Sequence, residues 1–286
     1  MEGFGWNLGQ VIGRGGMGVV HAAVDRESGE PRAVKVVDVP QGEWADRALS
    51  LFEREAGISR TLLHPHVVRT YDVVRTDEKC LLVMELCSGG SVAELIRRVG
   101  VLPPGTAVRL ALEILAALEY AHRVQLGEAV GLVHRDMKPQ NVLLVPGDVS
   151  PHAAKIADFG LAKAFETAGL SGLTQTGSAA GTPSFMCREQ VLDYKYAGPA
   201  VDVWSAAATL YFMLTGYSPR HFPAGRDPWL IVCEEAPVPV AARNPAVPTK
   251  LADLIDRALD DGGELVFTSA ADLTAALREL GTALSY

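Results

Sequence analysis

The octapeptide His134-Arg135-Asp136-Met137-Lys138-Pro139-Gln140-Asn141, with Asp158-Phe159-Gly160 behind it, constrains this chain more than any other stretch. Alone, the first piece reads as a polar loop between a helix and a strand, and the second as a turn. Together they carry a carboxylate, Asp136, able to orient a hydroxyl and accept its proton, and an amine, Lys138, able to neutralise charge on a transferring group. Asn141 and Asp158 add hard oxygen donors, the type that Mg²⁺ takes through one or two carboxylates.

Upstream, Gly13-Arg14-Gly15-Gly16-Met17-Gly18 fits G-x-G-x-x-G, a spacing shared with dinucleotide-binding folds, where the glycines open a helix. The context here differs. Val19-Val20-His21-Ala22-Ala23-Val24 is β-branched and small, and predicts the second strand of a hairpin. Ala33-Val34-Lys35-Val36-Val37 then reads as a short apolar strand with one lysine, which calls for a charged partner if the strand is buried. A helix over about Glu43 to Leu62, with Ala48, Leu51, Phe52, Ile58 and Leu62 near helical spacing, carries two candidates, Glu53 and Glu55.

These pieces, in this order, resemble the protein kinase superfamily, and within it the bacterial eukaryotic-like serine/threonine kinases, from about Gly13 to Leu280. The resemblance implies an α+β, bilobal protein kinase fold across residues 1–286. Its small antiparallel-sheet N-lobe with one main helix would take about residues 1–86, and a larger, mainly helical C-lobe about 87–286. It implies ATP with Mg²⁺ or Mn²⁺, and a protein Ser/Thr hydroxyl as acceptor. Asp136 and Lys138 become catalytic, Lys35 pairs with Glu55, and Asn141 and Asp158 become the metal ligands. Glu53, beside Arg54, reads as solvent-facing. Gly13, Arg14, Gly15, Gly16, Met17 and Gly18 would lie over the phosphates, with Lys35 beneath. Val20, Ala33 and Leu143 would sandwich the adenine, although from the residues alone they read equally as core. Met84 is the gatekeeper by resemblance, and the backbone of Glu85 and Cys87 reads the adenine edge where Cys87-Ser88-Gly89-Gly90 ends the last strand, Cys80 to Leu86.

Leu161 to Arg188 is a long Gly-, Ser- and Thr-rich stretch, the candidate activation loop. The resemblance makes Thr174 and Thr176 its phosphosites, Arg135 the phosphate-binding arginine, and Thr182 of Gly181-Thr182-Pro183 the residue selecting Ser/Thr hydroxyls. Gln140, where basic-directed kinases carry glutamate, argues against a strong basophilic preference. Departures cluster elsewhere. Cys187-Arg188-Glu189 replaces A-P-E, Ala207 stands where D-x-W-S-x-G has glycine, and Val266 takes the place of a late arginine. Glu189 is therefore expected to face water or a substitute cation, with Arg243 and Arg257 nearest by region. Ser59 and Thr70 are polar where apolar residues normally stack with His134 and Phe159. Two other classes compete: a pseudokinase scaffold, opposed by the complete set Lys35, Glu55, Asp136, Asn141 and Asp158, and a small-molecule kinase, opposed by Gly181-Thr182-Pro183 and Asp202-Val203-Trp204-Ser205.

Composition agrees. A chain of 286 residues exceeds a usual single core, and 48% hydrophobic residues suffice for a sizeable interior. A net charge of −8 argues against a general nucleic-acid or anionic-membrane binder. Cys80, Cys87, Cys187 and Cys233 have neither disulfide-scaffold nor metal spacing, which predicts a reducing, cytoplasmic setting; the resemblance implies, as an alternative, the cytosolic domain of a longer membrane-anchored protein. Val203 to Leu214 is too short to span a bilayer and reads as a buried core helix. Helices are expected over about Gly105 to Val124, Pro199 to Leu214, Lys250 to Leu259 and Ala270 to Leu280, with Pro237 to Pro248 an ordered loop. A homodimer formed through the N-lobe is a further implication of the resemblance.

Overall fold

The computed structural model describes residues 5–15, 18–38, 53–54, 56–76, 79–127, 129–146, 153–159, 183–194 and 197–284. These fall into two compact units: the described parts of Met1–Ser88 and Asp158–Ala180, and those of Gly89–Ala157 and Gly181–Tyr286.

The first unit is built on a five-stranded antiparallel sheet: β1 (Trp6–Gly15), β2 (Gly18–Asp25), β3 (Pro31–Asp38), β4 (Thr70–Arg75) and β5 (Lys79–Glu85), in the order β1-β2-β3-β5-β4. Strand alternation sorts the side chains between two faces. Ala23, Val34, Val36, Leu81 and Val83 form a core on one face, with Trp6, Leu8, Tyr71 and Val74 packed against it. Each of the buried valine and leucine side chains among them contributes roughly 1.5–3 kcal/mol. Opposite them, register pairs Val20 with Lys35 and Ala33 with Met84, so these four residues share the other face. Gly18 closes the β1–β2 hairpin opposite Gly15. Its φ of 137° and an added Cβ only 2.2 Å from the Val36 carbonyl oxygen leave no room for another residue. Residues 56–61 are helical, ending close to the expected Leu62.

The second unit is mainly helical: α1 (Val92–Val99), α2 (Pro104–Ala121), α3 (Arg188–Leu192), α4 (Pro199–Thr215), α5 (Pro228–Glu234), α6 (Val240–Arg243), α7 (Thr249–Ala258) and α8 (Ala270–Leu284). It also holds two small hairpins, β6 (Gln125–Leu126) with β7 (Ala129–Val130), and β8 (Val142–Val145) with β9 (Ala153–Ile156). The apolar run read as a core helix is α4, buried almost throughout, and α2 packs against both α4 and α8. Among the described residues no helix is long and apolar enough to cross a membrane. The stretch Pro237 to Pro248 is not wholly loop, because α6 interrupts it.

Four helices had no sequence expectation: α1, α3, α5 and α6. A signal for α1 was present, since Ser91 and Glu94 form a reciprocal capping box: the Glu94 amide donates to Ser91 Oγ at 3.2 Å and the Ser91 amide to Glu94 Oε2 at 2.7 Å. Asp227 caps α5 in the same local way, followed by Pro228 at the first helical turn. The β6–β7 hairpin is an excursion whose ends are sewn together. Leu132 donates its amide to the Ala121 carbonyl at 2.8 Å and Gly131 to Val124 at 2.9 Å. Gly131 has φ 87°, and a Cβ there would sit 2.7 Å from the His122 carbonyl oxygen.

Candidate active site

In the first unit the charged centre is Lys35. Its Nζ donates to Asp158 Oδ2 at 2.9 Å, and the lysine side chain is only 8% exposed, so the pair supplies the counter-charge a lysine in an apolar strand requires. Glu55, the partner expected by resemblance, lies outside the described residues, as do Gly16, Met17, Thr174, Thr176 and Thr182. Glu53 is exposed and reaches Arg75 on β4 at 3.3 Å, as a solvent-facing residue should. Ser59, polar where an apolar residue was anticipated, is buried because its hydroxyl donates to the Phe159 carbonyl at 3.0 Å. Thr70 is buried as well. β5 ends at Glu85, whose amide donates to the Arg69 carbonyl at 2.9 Å, and irregular residues 86–87 follow.

In the second unit the loop 131–141 is held from beneath by Asp202, a fully buried carboxylate on the first turn of α4. Its oxygens accept the amides of His134 at 2.7 Å and Arg135 at 2.8 Å, and it meets His122 Nε2 at 2.8 Å. The His134 ring bridges further: Nε2 faces the Ala157 carbonyl at 2.9 Å and Nδ1 faces the Asp136 amide at 3.2 Å. A carbonyl can only accept, so Nε2 carries the proton and Nδ1 accepts from Asp136. Arg135 sits at φ 63°, one of two described non-glycine residues with positive φ; the other is Asp158, at 62°. Such a conformation costs about 1–3 kcal/mol and persists where both sides of the residue are tied. For Arg135 they are, since its amide is on Asp202 and its carbonyl accepts Gln190 Nε2 at 2.6 Å. Its guanidinium donates to the Ala197 carbonyl, Nη2 at 3.0 Å.

Above this foundation Asp136 gathers two side chains. Lys138 Nζ lies 2.7 and 2.8 Å from its two carboxylate oxygens, and Asn141 Nδ2 donates to Oδ2 at 2.9 Å and to the Asp136 carbonyl at 2.7 Å. Committing the Asn141 nitrogen fixes its amide so that the oxygen end is the one offered to a ligand, and that hard donor fits a Mg²⁺ or Mn²⁺ ion. Leu143, on β8, is half-buried and bridged to Ser91.

Three residues that build this loop had no sequence expectation of their own: Asp202, His122 and Gln190. Asp202 was visible as the carboxylate heading an apolar run and as part of Asp202-Val203-Trp204-Ser205, with no role in holding the loop attached to it. Glu189 is exposed, as anticipated, but the suggested replacement cations are occupied elsewhere: Arg243 lies 4.8 Å from the centre of the Tyr217 ring and Arg257 5.5 Å from that of Phe267. Val266, in the place of the missing arginine, is 47% exposed.

A five-stranded antiparallel sheet with a helical second unit, and a loop that arranges a Lys and an Asn around one Asp carboxylate, define the protein kinase class. The protein kinase domain family matches residues 6–260, and the chain belongs to that family. It is 37% identical over 218 residues to CBL-interacting protein kinase 4 of Oryza sativa subsp. japonica, covering 75% of this chain and 45% of that protein. It is 34% identical over 217 residues to serine/threonine protein kinase OSK3 of Oryza sativa subsp. indica, covering 75% and 39%. The chain thus spans about half or less of the length of these curated relatives. Among solved structures, the kinase domain of Mycobacterium tuberculosis PknI, a double mutant, superimposes with TM-score 0.72 at 23% identity, covering 96% of this chain and 95% of that one. That similarity shows the fold.

Proposed function

We propose that this domain transfers the γ-phosphoryl group of ATP to serine and threonine hydroxyls of proteins. The observation that carries the reading is the Asp136 carboxylate, held by Lys138 at 2.7 Å and Asn141 at 2.9 Å. As the acceptor oxygen bonds to phosphorus, the bond from phosphorus to the β–γ bridging oxygen breaks and ADP leaves with the electron pair. Asp136 takes the hydroxyl proton, and Lys138 neutralises charge on the transferring oxygens. Asn141 and Asp158 would hold Mg²⁺ or Mn²⁺, which when bound neutralises phosphate charge.

The remaining roles rest on the resemblance. Gly13, Arg14, Gly15, Gly16, Met17 and Gly18 cover the phosphates, and Lys35, paired with Glu55 in the active form, contacts them. Val20, Ala33 and Leu143 flank the adenine, with Met84 behind it and Glu85 and Cys87 at its edge; support for the sheet-borne members is that Val20, Ala33, Lys35 and Met84 share one face. Thr182 selects the acceptor hydroxyl. Thr174 and Thr176 are autophosphorylated and bind Arg135, whose guanidinium donates to the Ala197 carbonyl through Nε and Nη2 and has further N–H donors to offer a phosphate. The relatives' designation as serine/threonine kinases supports the acceptor class. Placement within the bacterial eukaryotic-like group rests on Thr174-Gln175-Thr176 and Gly181-Thr182-Pro183. A cytoplasmic setting is part of the proposal. So is a homodimer, for which sedimentation velocity is the test.

Incubation with radiolabelled ATP and dephosphorylated casein tests the reaction. Asp136→Asn and Lys35→Ala should each lower phosphoryl transfer by about 100-fold or more, with nucleotide affinity in Asp136→Asn within about threefold of the parent. Parent-like turnover in Asp136→Asn would overturn the assignment.

A further inference from the structure

Among the described residues the most deeply buried pair of an arginine and a carboxylate lies outside the loop just described. Arg220 and Asp261 have side chains 1% and 2% exposed. Arg220 Nη2 is 2.6 Å from both Asp261 oxygens, Nε donates to the Glu235 carbonyl at 2.7 Å, and Nη1 donates to the Met186 carbonyl at 3.3 Å. Asp261 Oδ2 also accepts the Arg188 amide at 2.7 Å. The two ends of this ion pair therefore grip the backbone on either side of Cys187. Ser205 adds a third hold one residue earlier, its hydroxyl donating to the Phe185 carbonyl at 2.7 Å.

What the pair does can be read from what it spends. A buried ion pair gains little over well-packed apolar side chains of the same size, so filling the core does not account for it. Its distinctive output is the donor to Met186 and the acceptor for Arg188. Cys187, the residue before α3, makes no side-chain cap, so Asp261 caps that helix from a distant part of the chain. One turn into α3, Gln190 donates to the carbonyl of Arg135, the residue preceding Asp136. Glu189, between these contacts, is exposed and has no ion pair among the described residues.

We infer that Arg220 and Asp261 are positioning residues for phosphoryl transfer: they fix the backbone at 186–188 and, through Gln190, the Arg135 carbonyl and the adjoining Asp136. The inference rests on the kinase reading above. It moves the anchor of this segment from an acidic side chain within it, Glu189, to a pair of side chains acting on its backbone. Misplacing a reacting group by about 1 Å can cost 100-fold in rate, so a small shift at Gln190 is enough to matter.

The test uses the whole chain, with two variants. Arg220→Met with Asp261→Leu keeps the interior filled while removing the backbone contacts, and Arg220→Lys keeps the charge but not the planar fork. Hydrogen exchange across residues 185–192 and steady-state kinetics with ATP and casein are measured on proteins checked by thermal melting. In the double variant the Arg188 amide should lose protection and kcat should fall by about 10-fold or more, while KM for ATP stays within about twofold. Cooperative melting with parent-like exchange and kcat overturns the inference. If the double variant does not fold, Arg220→Lys decides, because a folded protein with parent-like kcat has no positioning role to lose. If the parent transfers no phosphoryl group, the kinase reading fails, and exchange at Arg188 alone decides the anchor: equal rates in parent and variant overturn it.

Discussion

Asp202 and Asp261 are both buried carboxylates that receive backbone amides from segments far off in sequence, yet they differ in what else they hold. Asp202 takes the amides of His134 and Arg135 and the ring of His122. Asp261 takes one amide, from Arg188, and the guanidinium of Arg220. Backbone amides cannot be substituted away, so the first arrangement leaves little freedom at Asp202. The second holds a single amide, and its other partner, Arg220, is a side chain that sequence can replace. The loop bearing the chemistry thus hangs on the less negotiable anchor, and the segment after it on one that sequence can relocate.

The contrast breaks first at Asp202. Asp202→Ala strands the buried His134 amide, the part-buried Arg135 amide and a ring nitrogen, and should cost about 3–5 kcal/mol in a urea titration, with phosphoryl transfer lost alongside. A loss below about 1 kcal/mol would mean that other acceptors serve those amides.

A third carboxylate, Glu94, sharpens the comparison because it caps locally and in partial contact with water. Hydrogen bonding from the Ser91 amide, against some opposition from burial, holds its carboxyl below the usual range. A group depressed in the folded state stabilises above its unfolded pKa, roughly 4.3, and that contribution is lost as pH falls through the folded value. Glu94→Gln should therefore lower the urea midpoint at pH 7, by no more than about 1 kcal/mol in free energy, with the difference from the parent shrinking below about pH 4. A difference that grew on acidification would reverse the sign of the argument. Smallest of all, Glu189→Ala should change stability by less than about 1 kcal/mol, since an exposed carboxylate has little to lose. A loss of several kcal/mol in the same titration would restore Glu189 as a buried anchor.

Legibility in the sequence followed the range of the interaction. β3 was readable because its short apolar run and its single lysine are local, and α4 because it is dominated by apolar residues from Val203 to Leu214. The Asp136, Lys138 and Asn141 cluster was readable because it fits within six consecutive positions. α1 was missed although its capping box, Ser91 and Glu94, is local, since eight residues give a short period to recognise. Arg220 and Asp261 were not readable at all. Their pairing spans 41 positions, and Arg220 sits among Tyr217, Pro219 and Pro223, a composition that reads as exposed loop rather than as interior. Ser59 misled for a related reason, because the acceptor that makes it comfortable, the Phe159 carbonyl, lies 100 positions on.

The β6–β7 excursion gives the fold a place to grow. Because Ala121 is joined to Leu132, and Val124 to Gly131, by backbone bonds alone, the chain enters and leaves at fixed points whatever lies between. Lengthening a closed loop costs only about 0.6 kcal/mol for each doubling. New sequence can accumulate there, and with it new surface for recognition, while the positions of His134 and Asp136 a few residues downstream stay as they were: variation and chemistry are neighbours on the chain but mechanically decoupled.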